Sequence, residues 1–167
     1  SSHFVSDHLE LAEKNYFVCG SRVKLSPEVT HRIMASKNFT LNIWNMPISF
    51  LLNSFRSKLL RHYMALRYAK KIDHLRGCNM AFWKEDLIKV NGYNEDLMQW
   101  GHEDGEIAFR LHFAGVKKKA LKMGGAVYHL YHKEASRDNE QRHFTELEKV
   151  KKEHLSWCEN GIDKYLR

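Results

Sequence analysis

Apolar and polar positions in this sequence switch repeatedly between helical and strand spacing, which is typical of a mixed α/β domain. Helical spacing and capping residues predict helices at 6–14, 26–36, 47–71, 84–90, 103–114 and 136–157. Alternating or continuously apolar runs predict strands at 16–19, 22–25, 78–83, 117–122 and 126–131. Because the run 78–83 is apolar on both faces, we expect it to be a central strand. We expect one α/β domain over residues 1–167, with a small mixed sheet flanked by helices.

The longest predicted helix, 47–71, is both amphipathic and basic. Its apolar positions recur at helical spacing among basic residues such as Arg56, Lys58 and Arg61. Such a helix can lie on an anionic membrane surface. Packing against its own domain or a neighbouring chain explains the same pattern, and we favour that explanation. The C-terminal helix, within 136–160, is polar with a thin apolar seam, and Gly161 is expected to end it.

The composition shows that the chain is basic but does not identify its binding partner. The 167 residues carry a net charge of +7 and an isoelectric point near 9.3, which favours an anionic partner such as a nucleotide, a phospholipid surface or a nucleic acid. The three cysteines have no metal-binding spacing and their odd number argues against a disulfide framework, so a reducing compartment is the simpler expectation. No apolar run is long enough to span a bilayer. The first residues do not resemble a signal peptide and lack an initiator methionine, so we expect a chain cut from a longer one.

Three acidic residues, Glu103, Asp104 and Glu106, follow Trp100 and Gly101 at the predicted start of a helix. The partial positive charge of a helix N-terminus favours ionised carboxylates. Acidic residues in a first helical turn are commonly simple helix stabilisers. A carboxylate held ionised in this position is also suited to take a proton from a hydroxyl group. Both interpretations stay open from the local pattern alone.

Four motifs carry a family resemblance: Arg76-Gly77-Cys78-Asn79-Met80-Ala81-Phe82, Asn91-Gly92-Tyr93-Asn94-Glu95, Trp100-Gly101-His102-Glu103-Asp104-Gly105-Glu106 and Val127-Tyr128-His129. Together they resemble the C-terminal half of inverting family 2 glycosyltransferases with the GT-A fold, and are similar to β-1,4-galactosyltransferases and bacterial chondroitin-type polymerases. The resemblance covers about 76–142, with 76–132 as the catalytic core, whereas residues 1–75 match weakly. It implies that the fold is the C-terminal part of a GT-A fold.

The resemblance also implies roles for particular residues. Asp104 would be the general base that deprotonates the acceptor hydroxyl, and Glu103 would hydrogen-bond the acceptor sugar. Trp100 would stack on the sugar ring. The implied substrate-binding residues are Trp100, Gly101, Arg76, Gly77 and Asn79. Since related retaining enzymes carry asparagine at the Asp104 position, the aspartate implies inversion.

The same resemblance implies a divalent metal, Mn²⁺ or Mg²⁺, held by a DxD motif and a later histidine. That histidine would be His129, with His132 as a weaker candidate because side chains alternate along a strand and the two would point apart unless the strand has ended. No DxD occurs in the chain, so we expect the N-terminal nucleotide-binding half to lie upstream of Ser1. We therefore expect the chain alone to be inactive, to bind a nucleotide sugar weakly, and to self-associate through an exposed apolar surface.

The function implied is hexosyl transfer from a nucleotide sugar, most simply a UDP-sugar, to a saccharide acceptor in bacterial cell-surface polysaccharide synthesis. The expected location is cytoplasmic, or peripheral at the inner face of the membrane. A basic nucleic-acid-binding module without catalysis is the alternative, but it leaves the three carboxylates unexplained, and no nucleic acid is expected as a partner. Paired glycosidase carboxylates need a wider separation, and the spacing of a calcium-binding EF-hand loop is absent.

Overall fold

The computed structural model describes residues 3–39 and 55–166. The helices are α1 Phe4–Leu11, α2 Pro27–Ser36, α3 Lys58–Arg67, α4 Lys84–Lys89, α5 Glu103–Phe113 and α6 Glu140–Glu153. The strands are β1 Tyr16–Cys19, β2 Arg22–Lys24, β3 Met80–Ala81, β4 Lys117–Ala120 and β5 Val127–His129. Short 3₁₀ turns occur at Gly77–Asn79 and Ile162–Tyr165. The mixed α/β class predicted from the sequence is confirmed.

The described strands form two small sheets. In the first, β1 is central and pairs antiparallel with β3 and parallel with β4, so this sheet is mixed. In the second, β2 and β5 are parallel, with Lys24 opposite His129. Because β1 and β4 run in the same direction, their carboxyl ends meet at one edge of the sheet. Ligands of α/β proteins commonly bind outside such an edge.

Helix α5 fills the centre of the main core. Its apolar stripe, Ile107, Ala108 and Leu111, is fully buried against Phe17 of β1. These residues lie within the helix that helical spacing predicted at 103–114. Its burial fixes α5 against the sheet, so the side chains of its first turn are held in place by the packing of later turns.

The segment 78–83 differs from the predicted central strand. Only Met80–Ala81 is a strand, and it lies at the edge of the three-stranded sheet. Before it the chain makes the 3₁₀ turn, and after it Trp83 is the N-cap residue of α4. The segment is apolar on both faces because Met80 and Phe82 pack on the α5 core while Ala81 packs on a second cluster around Leu11. A segment can therefore pack on both of its faces while it lies at the edge of the sheet.

The predicted helix 47–71 is wrong as one continuous element. Its part within residues 40–54 lies outside the described residues, and residues 55–57 are not helical. Helix α3 begins after Ser57, whose Oγ accepts a hydrogen bond from the Leu60 N–H at 3.4 Å. One of its basic residues, Arg61, is fully buried and pairs with Asp7 at 3.0 Å. No helix in the described ranges is long and apolar enough to cross a membrane, and peripheral membrane contact stays a prediction.

Both terminal helices begin or end away from their predicted bounds. Helix α1 begins at Phe4, before Ser6, and ends at Leu11. Helix α6 begins at Glu140 and ends at His154, which takes the left-handed conformation, so it is not ended by Gly161. A Cβ at Gly161 would lie 1.9 Å from Asn91 O, because the chain returns here to pack on the turn after α4. Gly161 therefore permits a close approach between segments rather than capping a helix.

Candidate active site

The carboxylate of Asp104 lies against the backbone of Gly77. A Cβ at Gly77 would be only 2.0 Å from Asp104 Oδ2, so no side chain fits at this position. The Gly77 N–H donates a hydrogen bond to the carboxylate. The 3₁₀ turn Gly77–Asn79 and the first turn of α5 therefore build one site, although they are distant in sequence. Asp104 is half-buried there, with its carboxylate held in one place.

Burial raises the pKa of Asp104 above its usual value of 3.8, and the neighbouring Glu103 carboxylate raises it further. The Gly77 N–H, the Tyr93 hydroxyl and the positive charge of Arg22 oppose this shift without cancelling it. The helix N-terminus was expected to favour the ionised form, but desolvation outweighs it. A carboxylate with a raised pKa is a stronger base, so the shift is in the direction that proton abstraction needs.

Tyr93 is a site residue for which no role was predicted from the sequence. Its hydroxyl donates to Asp104 Oδ1 at 3.5 Å, and its ring meets Phe82 edge-on with centroids 6.5 Å apart. Burial and the two carboxylates of α5 raise the pKa of Tyr93, so the phenol keeps its proton and remains a donor. The only sequence signal was its place in the motif after α4.

Glu103 and Gly101 shape the loop that enters α5. The Gly101 N–H donates to Glu103 Oε2 at 3.0 Å, so this carboxylate caps the loop with one of its oxygens. Gly101 has a φ of 122°, and its carbonyl accepts a hydrogen bond from His143 Nδ1 at 2.7 Å. These contacts hold the entry loop between α5 and α6. Glu103 therefore stabilises the start of α5 through Oε2. Its other carboxylate oxygen takes no part in this contact.

Trp100 lies in the same loop and is 40% exposed. The guanidinium of Arg137 lies 4.3 Å from its ring centroid, a cation–π distance. The ring is thus presented at the surface beside the base-bearing turn instead of packing into the core. This position is compatible with the predicted stacking on a sugar.

Glu106, the third acidic residue, is structural. It is 1% exposed and forms a two-pronged ion pair with Arg110, with both nitrogen–oxygen distances at 2.7 Å. Arg110 also donates to the carbonyls of Val90 and Gly92, the latter at 2.8 Å. The pair ties α5 to the turn that leads to Tyr93. Only two of the three predicted carboxylates therefore face the site.

Asn79 and Arg76 flank the Gly77 contact in different ways. Asn79 is 1% exposed, and its amide nitrogen donates to Ser21 O and Gly125 O, both at 2.8 Å. Its amide oxygen bonds His8 Nε2 at 2.8 Å. Since the protein uses all of these polar atoms, Asn79 holds the fold together and the structure does not support its predicted substrate contact. Arg76 is exposed and borders the site.

Arg22 links the candidate base to the candidate metal histidine. Its positive charge lowers the pKa of both Asp104 and His129, so it lies near both. It stands at the start of β2, which pairs with β5, the strand that ends at His129. The sequence analysis gave Arg22 no role, because its neighbours come from remote segments.

His129 and His132 were expected to point apart unless the strand had ended, and the strand does end before His132. Strand β5 ends at His129, so alternation no longer applies, and the two Nε2 atoms lie 3.0 Å apart. Burial and nearby positive charges lower the pKa of His129, which keeps its imidazole neutral and able to bind a cation. Within residues 3–39 and 55–166, however, no three metal-binding side chains come together. The described residues offer two imidazoles, not the oxygen-rich set that manganese prefers.

Comparisons with known proteins agree with this geometry. Residues 58–133 match a family model described as the N-terminal domain of galactosyltransferase. Over 74 residues the chain is 38% identical to a chondroitin synthase of Pasteurella multocida (strain Pm70), a match that covers 38% of this chain and 8% of that protein. Over these parts of its length, the chain is therefore similar to glycosyltransferases.

The region shared with these glycosyltransferases contains most of the candidate site. Asp104, Gly77 and His129 all lie within 58–133. Strands β1 and β2 lie outside that range, so Arg22 reaches the glycosyltransferase-like region from a part of the chain that the family model does not match. The fold, and not the matched segment alone, completes the site.

Proposed function

We propose that this chain forms the acceptor-side, base-bearing part of a hexosyltransferase that uses a nucleotide sugar, most simply a UDP-sugar, and inverts the anomeric carbon. The acceptor is a saccharide, and the process is cell-surface polysaccharide synthesis on the cytoplasmic side of the membrane. The observation that carries the proposal is the placement of Asp104, half-buried on Gly77 with its pKa raised.

In the proposed step, Asp104 accepts the proton of an acceptor hydroxyl as that oxygen attacks the anomeric carbon of the donor. The new glycosidic bond forms on one face of the sugar, while the bond to the nucleotide diphosphate breaks on the other. Tyr93 and the Gly77 N–H hold the Asp104 carboxylate in place. Trp100 offers an exposed ring on which the acceptor sugar stacks.

The proposed cofactor is Mn²⁺ or Mg²⁺, which would offset the negative charge of the leaving diphosphate. His129, with His132 beside it, is the proposed contribution of the described residues to that ion. Such an ion would need oxygen ligands in addition to these imidazoles.

The test is Asp104→Asn in the natural protein that carries this sequence, assayed for sugar transfer from a panel of nucleotide sugars. The amide keeps the shape of the side chain but cannot accept the proton. We expect turnover to fall by about a hundredfold or more, the usual range for a general base, with donor binding retained. Near-normal turnover with a well-folded variant would remove Asp104 from the mechanism and overturn the proposal.

A further inference from the structure

A small basic cavity of about 120 Å³ lies beside the candidate base. Its charged and ring-bearing lining residues are Arg22, Tyr68, His74, Arg76, Lys118 and Lys122. No aspartate or glutamate is among the described residues that line it. Five basic side chains therefore share one cavity without a carboxylate, although the chain has 20 acidic residues.

The cations of this cavity are held by neutral groups rather than by ion pairs. Lys118 Nζ donates to backbone carbonyls, among them His74 O at 3.2 Å. Lys122 Nζ donates to Ser21 Oγ at 3.3 Å, and Arg76 donates to Leu75 O at 2.6 Å. Across the described parts of the chain, none of Arg22, Arg76 and Lys122 is in a salt bridge with a carboxylate.

The fully buried arginines of the molecule are matched by carboxylates. Arg61 pairs with Asp7 at 3.0 Å and with Glu10 at 2.6 Å, and Arg110 pairs with Glu106. Buried charges are normally matched in this way because desolvation without a counter-charge is costly. Most cations of the cavity are instead partly or fully exposed, so water solvates them and an anion from outside can reach them.

The like charges of the cavity act on one another. Burial lowers the pKa of Lys122, and the Arg76 charge lowers it further. The pKa of His74 is lowered by burial and then by the charges of Arg76 and Lys122. An anion between these groups would replace repulsion with attraction in a partly desolvated space, where such pairs are stronger than at the surface.

The cavity also lies where the fold places ligands. Cys19, Gly20 and Ala120, at the carboxyl ends of the parallel strands β1 and β4, form part of its wall. Arg76 directly precedes Gly77, on which the Asp104 carboxylate packs. An anion held here would lie next to the proposed reaction centre.

We propose that this cavity is an oxyanion subsite that binds one anionic group of a substrate while Asp104 acts on a neighbouring hydroxyl. Its volume is below the roughly 300–1,000 Å³ of sites that enclose whole ligands, so it takes a single carboxylate or phosphate. The source is either the carboxylate of an acidic saccharide, such as one containing a hexuronate, or a phosphate of the donor. The assignment of the anion to a substrate rests on the proposed function, whereas anion binding itself does not.

The test is a nuclear magnetic resonance titration of the 167-residue chain with glucuronate, with glucose as its neutral match, and with inorganic pyrophosphate. We expect shifts confined to the amides around Gly20, Ser21 and Arg76 for at least one anion, none for glucose, and weakening with added salt. The anion that binds more tightly identifies the source. Shifts equal for glucuronate and glucose, or no shifts with either anion, would overturn the subsite.

Variants that remove one positive charge distinguish anion binding at this subsite from a general attraction of anions to a basic protein. Arg76→Gln should weaken anion binding on the order of tenfold, the loss of one charge-assisted hydrogen bond. Lys152→Gln removes the same charge from an exposed position on α6 and should change little. Equal effects of the two variants would contradict the proposal, as would binding of an oligonucleotide when single anions do not bind. Anion binding together with failure of the Asp104 test would remove only the proposed function.

Discussion

Asp104 and Glu106, both in the first turn of α5, are carboxylates with opposite surroundings. Asp104 faces a backbone glycine, a tyrosine hydroxyl and another carboxylate, and its pKa is raised. Glu106, two residues later, is fully buried and matched on both oxygens by Arg110. The same helix thus holds two kinds of carboxylate. Asp104 has no directly bonded cation, whereas Glu106 is neutralised by its ion pair with Arg110.

This difference shows that neighbouring acidic residues can have separate roles, one in stabilising the fold and one in the proposed reaction. An ion pair such as that of Glu106 lowers the readiness of a carboxylate to accept a proton, because the cation favours the charged form. Burial without a directly bonded cation does the reverse. Glu106 therefore anchors α5 in the fold, whereas Asp104 in the same turn keeps a carboxylate that can accept a proton.

The largest expected effect comes from exchanging each carboxylate for its amide. Glu106→Gln leaves the Arg110 charge buried without its partner, so we expect a loss of about 3 kcal/mol of unfolding free energy. Asp104→Asn removes a desolvated charge and should leave stability equal or slightly higher. Denaturant unfolding of the two variants measures this directly. Equal losses in both variants would contradict the distinction between the two carboxylates.

A second comparison uses two glycines of the site. Gly77→Ala puts a methyl group where Asp104 Oδ2 lies, so the carboxylate must move away from its contact. We expect transfer to fall about tenfold or more, since small displacements of a catalytic group are costly. Gly105→Ala is the matched control, because a Cβ there meets Leu147 at an ordinary 3.7 Å. It should keep activity and gain a few tenths to about 1 kcal/mol of stability. Similar activity in both variants would mean that the Gly77 contact does not position the base.

A smaller effect is expected from the acceptor side. Trp100→Ala should raise the acceptor KM by roughly five- to tenfold, because one aromatic contact with the sugar is lost. The melting temperature should change little, because the ring is exposed. Trp83→Ala is the control, since Trp83 donates to Glu13 O at 2.9 Å on the α1 side of the molecule. It should lower stability and leave the acceptor KM unchanged. A melting-temperature loss without a KM effect in Trp100→Ala would assign Trp100 to the fold.

Local patterns predicted the elements on which the site is built. The strands β1 and β2 and the stripe of α5 follow from spacing within a few residues, and so did the placement of Asp104 in a first helical turn. The Ser26 cap of α2 was also predictable, because it depends on neighbours in sequence.

Contacts between remote segments were not predictable in this way. The roles of Arg22, Tyr93 and the basic cavity depend on how β2, the loop after α4 and the ends of β1 and β4 meet in space. The convergence of His129 and His132 depended on where β5 ends, which alternation could not determine. The pairing of Glu106 needed only a residue one helical turn away, so the i, i+4 spacing to Arg110 was a signal that could have been used.

The smallest expected effect is a pH dependence of stability that comes from Asp104. In the unfolded chain Asp104 has its ordinary pKa near 3.8, whereas in the folded chain this pKa is raised. Between these two values the folded chain keeps a proton that the unfolded chain has released, so stability falls as pH rises across this window. Asp104→Asn cannot titrate. Its stability relative to the unmodified chain should therefore rise across the window and then stay constant above the folded pKa. Paired denaturant unfolding between about pH 3 and pH 7 measures this difference. A difference that is constant, or that falls with rising pH, would mean that burial does not disfavour the charged form of Asp104, and the contrast with Glu106 would be lost.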